Sequence, residues 1–92
     1  MKSILEEMYD WLLVPISIEE AEARYDWGGV PFGHLNPDWQ QLRLTILGDP
    51  TRQLWTFCSP EETWTTFPYR GWEGIAVIKD GEIIDILVTG IS

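Results

Sequence analysis

Asp80-Gly81, set between Ile75-Ala76-Val77-Ile78 and Ile83-Ile84-Asp85-Ile86-Leu87-Val88, constrains this chain more than any other feature. The flanking runs are mostly β-branched or apolar, the residue types that suit a pleated, half-buried surface. A two-residue hairpin turn needs positive φ at its central positions, and Asp-Gly meets that demand at little steric cost. The pattern predicts an antiparallel hairpin with strands over about 74–79 and 83–89.

Leu54-Trp55-Thr56-Phe57-Cys58 reads as a further strand, over 53–58, and Ser59-Pro60-Glu61-Glu62 then stops it and starts a helix. Ser59 is placed as N-cap, Pro60 fits the first helical position, and Glu62 is spaced to complete a capping box. Pro68, Gly71 and Gly74 keep that helix short. Upstream, Leu42, Leu44 and Ile46 alternate with Arg43, Thr45 and Leu47, a period of two that predicts a strand over 42–47. Gly48-Asp49-Pro50-Thr51 would turn that strand back to pair antiparallel with 53–58, and Asn36-Pro37-Asp38 could cap a single helical turn bearing Trp39.

The N-terminal part reads as helical. Ile4, Leu5, Met8, Trp11 and Leu12 form an apolar stripe at i, i+1, i+4, i+7 and i+8, which predicts a helix over 3–14 that Pro15 ends. Ser3 and Glu6 have capping-box spacing, as do Ser17 and Glu20, which open a second helix running to about Tyr25. The stretch 25–36 lacks periodicity and mixes three glycines, a proline, large rings and the single histidine, so it reads as a surface loop. The fold class that follows is α+β: N-terminal helices on a mainly antiparallel sheet of about four strands, with a short helix between strands 2 and 3. Leu5, Met8, Leu12, Leu44, Ile46, Trp55, Phe57, Trp64, Ile75, Val77, Ile84 and Ile86 are its expected core. Ninety-two residues fit one small domain, 1–92.

The order Trp55-x-Phe57-x-Ser59-Pro60-x-x-Thr63-Trp64, followed by Gly71-x-x-Gly74-Ile75-Ala76-x-x-x-x-Gly81, resembles a pattern in small bacterial proteins that carry no functional name. It covers roughly the C-terminal 40 residues. The resemblance implies a shared fold and brings no catalytic or binding residue with it.

Charge narrows the choice of partners. Fifteen acids against six bases give a net charge of −9, the wrong sign for neutralising nucleic-acid phosphates or docking on anionic membranes. Direct nucleic-acid and membrane roles are therefore not expected. A lone cysteine, Cys58, rules out an internal disulfide, and no run approaches eighteen apolar residues. With no basic-then-apolar leader at the N-terminus, the expected location is cytoplasmic.

No chemistry-bearing motif emerges. One histidine, His34, is too few for a His-rich or Cys–His metal site, and no spacing supports a Cys58–His34 nucleophile pair. Phosphate-cradling glycine motifs, a nucleophile elbow and a calcium-loop spacing are all missing. Glu73, between Gly71 and Gly74 and beside Arg70 and Trp72, is the best isolated carboxylate for acid–base work, but it reads first as an exposed turn residue. The expectation is a chain without catalytic residues, metal or cofactor. Residues 1–26 carry seven acids and two bases, a net of −5, and run directly into the aromatic, glycine-rich loop. Glu19, Glu20, Glu22, Asp26, Trp27, Phe32 and His34 are accordingly the candidate contacts for a basic protein partner, in the manner of an inhibitor, an immunity-type protein or a nucleic-acid mimic. The alternatives are a small-molecule site walled by Trp27, Phe32, Trp64 or Trp72, or a structural domain that forms homo-oligomers.

Overall fold

Residues 4–91 are described by the computed structural model, with side chains from Glu7 onward. The chain runs α1 (Ile4–Tyr9), β1 (Leu12–Ile16), α2 (Ile18–Arg24), β2 (Asp26–Trp27), β3 (Val30–Pro31), a 3-10 turn (Gly33–Leu35), α3 (Asn36–Leu47), β4 (Gln53–Cys58), α4 (Glu61–Thr65), β5 (Trp72–Lys79) and β6 (Glu82–Ile91). β1, β4, β5 and β6 form one antiparallel sheet in that spatial order, and β2 and β3 form a separate two-stranded ribbon. The architecture is α+β.

The Asp80-Gly81 turn forms as its residues dictate, with φ of 52° and 77°. It joins β5 to β6 in the register Val77↔Asp85, Ala76↔Ile86 and Ile75↔Leu87. At Gly74 a Cβ would run into the Leu87 carbonyl oxygen, so glycine is what lets β5 and β6 approach there. On its other side β5 pairs with β4, Leu54 opposite Val77 and Phe57 opposite Gly74.

Strand alternation divides the core in two. One face buries Leu54, Ile75, Val77 and Leu87 against Ala21 of α2, Trp39 and Leu42 of α3, and Phe32. The opposite face gathers Phe57, Ala76, Ile78 and Ile83 around Met8 of α1, with Trp11, Trp55 and Ile86 partly buried beside them. Full burial of a side chain such as Phe57 or Met8 is worth about 1.5–3 kcal/mol, so neither layer is dispensable in a chain of this length.

Several local expectations are corrected. The segment 42–47 is the second half of α3, not a strand. Its buried positions Trp39 and Leu42, with Leu35 and Ile46 packed alongside, follow helical spacing, while Leu44 and Leu47 face outward, each 59% exposed. The partners of β4 are therefore β1 and β5. α1 ends at Tyr9, and Leu12–Ile16 is an edge strand whose bulged register tolerates Pro15. Of the expected core, Leu44 is exposed, as is Ile84, which lies where the β5–β6 register slips. The Ser3–Glu6 capping box and the Leu5 side chain lie outside what is described. The Ser17–Glu20 box forms: Glu20 N–H donates to Ser17 Oγ at 3.0 Å, and Ser17 N–H donates to Glu20 Oε1 at 3.3 Å.

The second expected cap takes a different form. α4 starts one residue later, with Pro60 as N-cap and no side-chain cap, so Ser59 and Glu62 do not form a box. Ser59 instead turns back to the sheet: its N–H donates to the Trp72 carbonyl and its Oγ accepts from the Trp72 N–H, both at 2.9 Å. Its hydroxyl also lies 2.6 Å from Thr63 Oγ1, which donates to the Pro60 carbonyl at 2.5 Å. Thr63 has a single hydroxyl proton, so Ser59 must be the donor of that pair. The Ser-Pro-x-x-Thr sequence thus builds a hydroxyl relay that ties α4 to the first residue of β5.

Candidate functional site

The stretch 25–36, expected as a loop, is a small built structure. β2 and β3 pair through Asp26↔Pro31 and Trp27↔Val30, and Gly28 and Gly29 make the turn at φ of 68° and 85°. Phe32 follows at φ 62°, a conformation that costs a non-glycine residue about 1–3 kcal/mol. Its ring is fully buried, and burial of that size offsets the cost. Phe32 N–H donates to the Tyr25 carbonyl at 2.7 Å, and Asn36 Nδ2 donates to the Pro31 carbonyl at 2.9 Å, closing the ribbon onto α3.

Five rings run from this ribbon into the core. Trp39 stacks on Phe32 at 4.5 Å between centroids, Phe32 on Tyr25 at 4.8 Å, and Tyr25 meets Trp27 edge-on at 6.3 Å. Trp27 then lies nearly parallel to the His34 imidazole, 5.9 Å away with 18° between planes. The inner end is inaccessible; the outer end, Trp27 over His34, faces solvent. Gly33 permits this stack, since a Cβ there would come within 2.8 Å of Trp27 Cε3. Arg24 covers the Tyr25 ring, its guanidinium carbon 5.7 Å from the centroid.

The seven candidate contacts separate accordingly. Glu19, Glu20, Asp26, Trp27 and His34 are exposed. Glu22 is partly buried, and its Oε2 accepts the indole N–H of Trp39 at 3.1 Å. Phe32 is part of the core, which corrects its reading as a surface ring: the left-handed backbone at this position swings it beneath the ribbon. The residues weighed for a small-molecule wall are spread over separate elements, Trp27 on β2, Trp64 on α4 and Trp72 on β5.

The residues weighed for chemistry sit on three different elements. Cys58 and Glu73 are cross-strand neighbours on β4 and β5, while His34 lies on the 3-10 turn. A carboxylate opposite a thiol does not supply the electropositive setting that an activated thiolate needs. Among the described residues no group of three His, Cys, Asp or Glu side chains is arranged to hold a metal ion, and no helix is long and apolar enough to cross a membrane.

Two features escaped sequence reasoning. One is an aromatic cluster after α4, where Phe67, 82% exposed, and Tyr69 meet edge-on at 6.2 Å. The Phe-Pro-Tyr run was the available signal, but nothing in it distinguishes exposed rings from buried ones. The other is a pair of shallow recesses, each just under 300 Å³, that follow β6. Asp38, Gln41 and residues 85–88 line the first; His34, Leu35 and residues 88–91 line the second.

No family model matches this chain, no curated protein matches it in sequence, and no solved structure matches it in fold.

Proposed function

We propose that this chain is a non-catalytic protein-interaction domain whose α2 surface and β2–β3 ribbon contact a basic protein partner. The observation that carries the reading is the exposed Trp27 ring seated on His34, on the ribbon that directly follows the acidic helix bearing Glu19 and Glu20. Carboxylates of this kind attract a cationic surface over about 10 Å at 0.1 M salt and so raise the encounter rate. A rigid, already seated aromatic contributes lasting affinity, because little side-chain freedom is lost on contact. An inhibitor, an immunity-type protein or a mimic of a nucleic acid would each use this combination.

The test is a binding-rate measurement against a basic protein recovered with the chain from its source cell. Raising salt should slow association, and Glu19→Lys with Asp26→Lys should slow it further. Glu22 is unsuited to that test, since reversing its charge would also strip Trp39 of its acceptor. A recovered partner whose association ignores both salt and these substitutions would remove the reading. A broad hydrolase, transferase and redox screen should give no turnover; activity lost on changing His34, Cys58 or Glu73 singly would overturn the non-catalytic part.

A further inference from the structure

We infer that the outer edge of β6 is a docking groove for an extended, basic peptide segment, which adds to the sheet as a fifth antiparallel or parallel strand. The inference stands apart from the reading above, since the sign of the occupant's charge is taken from the lining of this edge itself.

Among the described residues β6 is the last strand of the sheet order and pairs on one side only, with β5. A strand of ten residues with one free edge presents main-chain donors and acceptors that another chain can take up. Natural sheets commonly blunt such an edge with proline or lysine; β6 contains neither, whereas the opposite edge strand, β1, carries Pro15, and the register slips of β6 at Ile84 and Thr89 leave 85–88 as its regular stretch. The edge also has a wall. The recesses along β6 meet at Val88 and together border residues 85–91, the first beside α3 and the second beside the 3-10 turn. Seven residues of strand span about 23 Å, enough for a heptapeptide in extended conformation.

The occupant's chemistry follows from the lining. Two exposed carboxylates, Asp38 and Asp85, border the groove, and among the described residues no lysine or arginine does. Asp85 Oδ1 accepts the Ile86 N–H at 2.9 Å, so a carboxylate occupies a main-chain donor of this strand. An incoming cationic side chain gives Asp85 a stronger counter-charge and frees that N–H for pairing. A second copy of this chain would bring Asp85 and Glu82 against like charges on a molecule of net −9. An acidic or neutral strand lacks the counter-charge that displaces Asp85. Basic residues alternating with small apolar ones match both walls, the cations toward Asp38 and Asp85 and the apolar side chains toward Val88 and Ile91.

The experiment uses the full chain and an end-capped heptapeptide alternating lysine and valine, followed by amide hydrogen exchange and amide chemical shifts. The expected result is slowed exchange at alternate amides of 85–88, the stretch between the two register slips. Affinity should fall about tenfold or more when alternate peptide nitrogens are methylated, which keeps every charge but removes main-chain pairing. Asp38→Asn with Asp85→Asn should weaken the unmethylated peptide, and a glutamate–valine peptide should not bind. Equal affinity of methylated and unmethylated peptides overturns the proposal, as does the absence of any shift in β6 at millimolar peptide. Perturbation confined to α2 and Trp27 also overturns it and leaves the proposed function standing. Protection of β6 amides that grows with protein concentration alone means that a second copy is the occupant, and overturns the basic-peptide assignment. If Glu19→Lys with Asp26→Lys leaves the β6 response intact, the groove acts separately from the α2 face, and the failure of one does not carry the other.

Discussion

Trp39 donates its indole N–H to Glu22 Oε2 across 3.1 Å, joining α2 to α3 through a ring that is fully buried. The contact commits one acid of the α2 cluster, partly buried, as the acceptor for a core indole. A buried indole N–H has no water to turn to, so losing its acceptor costs the desolvation of that group, about 1–3 kcal/mol. Glu22→Ala should lower stability by that amount, while Glu22→Gln, which keeps a side-chain oxygen, should cost clearly less. Urea midpoints at neutral pH measure both, and equal losses would mean that the hydrogen bond contributes nothing.

The Ser59 relay gives a second contrast. Ser59 is buried, and its Oγ is the acceptor for the Trp72 N–H. Ser59→Ala should therefore destabilise the fold by about 1–3 kcal/mol through the sheet rather than through the helix cap. Glu62→Gln should stay within about 0.5 kcal/mol, as for an exposed side chain with no structural partner. Thr63→Val should fall on the Ser59 side of this divide. Were Glu62→Gln as damaging as Ser59→Ala, a capping box would have to be reinstated.

Asp49 sets an acid-limb prediction. Its Oδ2 accepts from Lys79 Nζ at 2.6 Å, and its Oδ1 from Thr51 Oγ1 at 2.6 Å and Thr51 N–H at 3.0 Å. The Lys79 hydrogen bond first, then the two from Thr51, hold this carboxyl well below the usual carboxylate range. A folded pKa depressed below the unfolded value near 3.9 contributes stability that is complete above that value. The contribution is lost as pH falls from there through the folded value. Asp49→Asn should thus lower the urea midpoint at pH 7, and the gap to the unsubstituted chain should close below about pH 4. Parallel curves over the whole acid range would show that the Lys79 contact is not coupled to protonation.

How far the sequence could be read depends on which signal each segment carried. Asp80-Gly81 and the Ser17–Glu20 box are local: backbone conformation and hydrogen bonding within four residues decide them, and both formed as expected. Segment 42–47 is not local. Leu44 lies on the solvent side of α3, and this outward leucine, set between Leu42 and Ile46 of the helical stripe, gives the segment its apparent alternation. Leu12–Ile16 went the other way. Trp11 and Leu12 continue the stripe of Ile4, Leu5 and Met8, but pairing with β4 claims Leu12–Ile16 as strand, through Leu12↔Phe57 and Ile16↔Leu54. Of the candidate site, the acidic helix and exposed Trp27 were legible from charge and loop composition. That Phe32 turns inward depends on a positive φ at a residue other than glycine, which composition does not announce. The β6 groove is likewise a product of strand order, which no local pattern specifies.

The sharpest functional test sets two aromatic residues of one ribbon against each other. Phe32 is buried and stacked on Trp39, so Phe32→Ala should cost about 3–5 kcal/mol, a large share of a small domain's stability. Any loss of binding in that variant should track its loss of folded protein. Trp27 is 37% exposed at the outer end of the stack, and Trp27→Ala should cost stability no more than about 1 kcal/mol. Its effect should fall instead on a partner's off-rate, which a single-exposure dissociation measurement at fixed salt reads directly. Gly33→Ala offers a check that keeps the indole: its Cβ, 2.8 Å from Trp27 Cε3, should push the ring off His34 and raise the off-rate in the same direction. Denaturant midpoints taken on the same samples separate the two causes. If Trp27→Ala and Gly33→Ala leave the off-rate unchanged while the fold is intact, the Trp27–His34 stack is packing alone and the contact lies elsewhere on the chain.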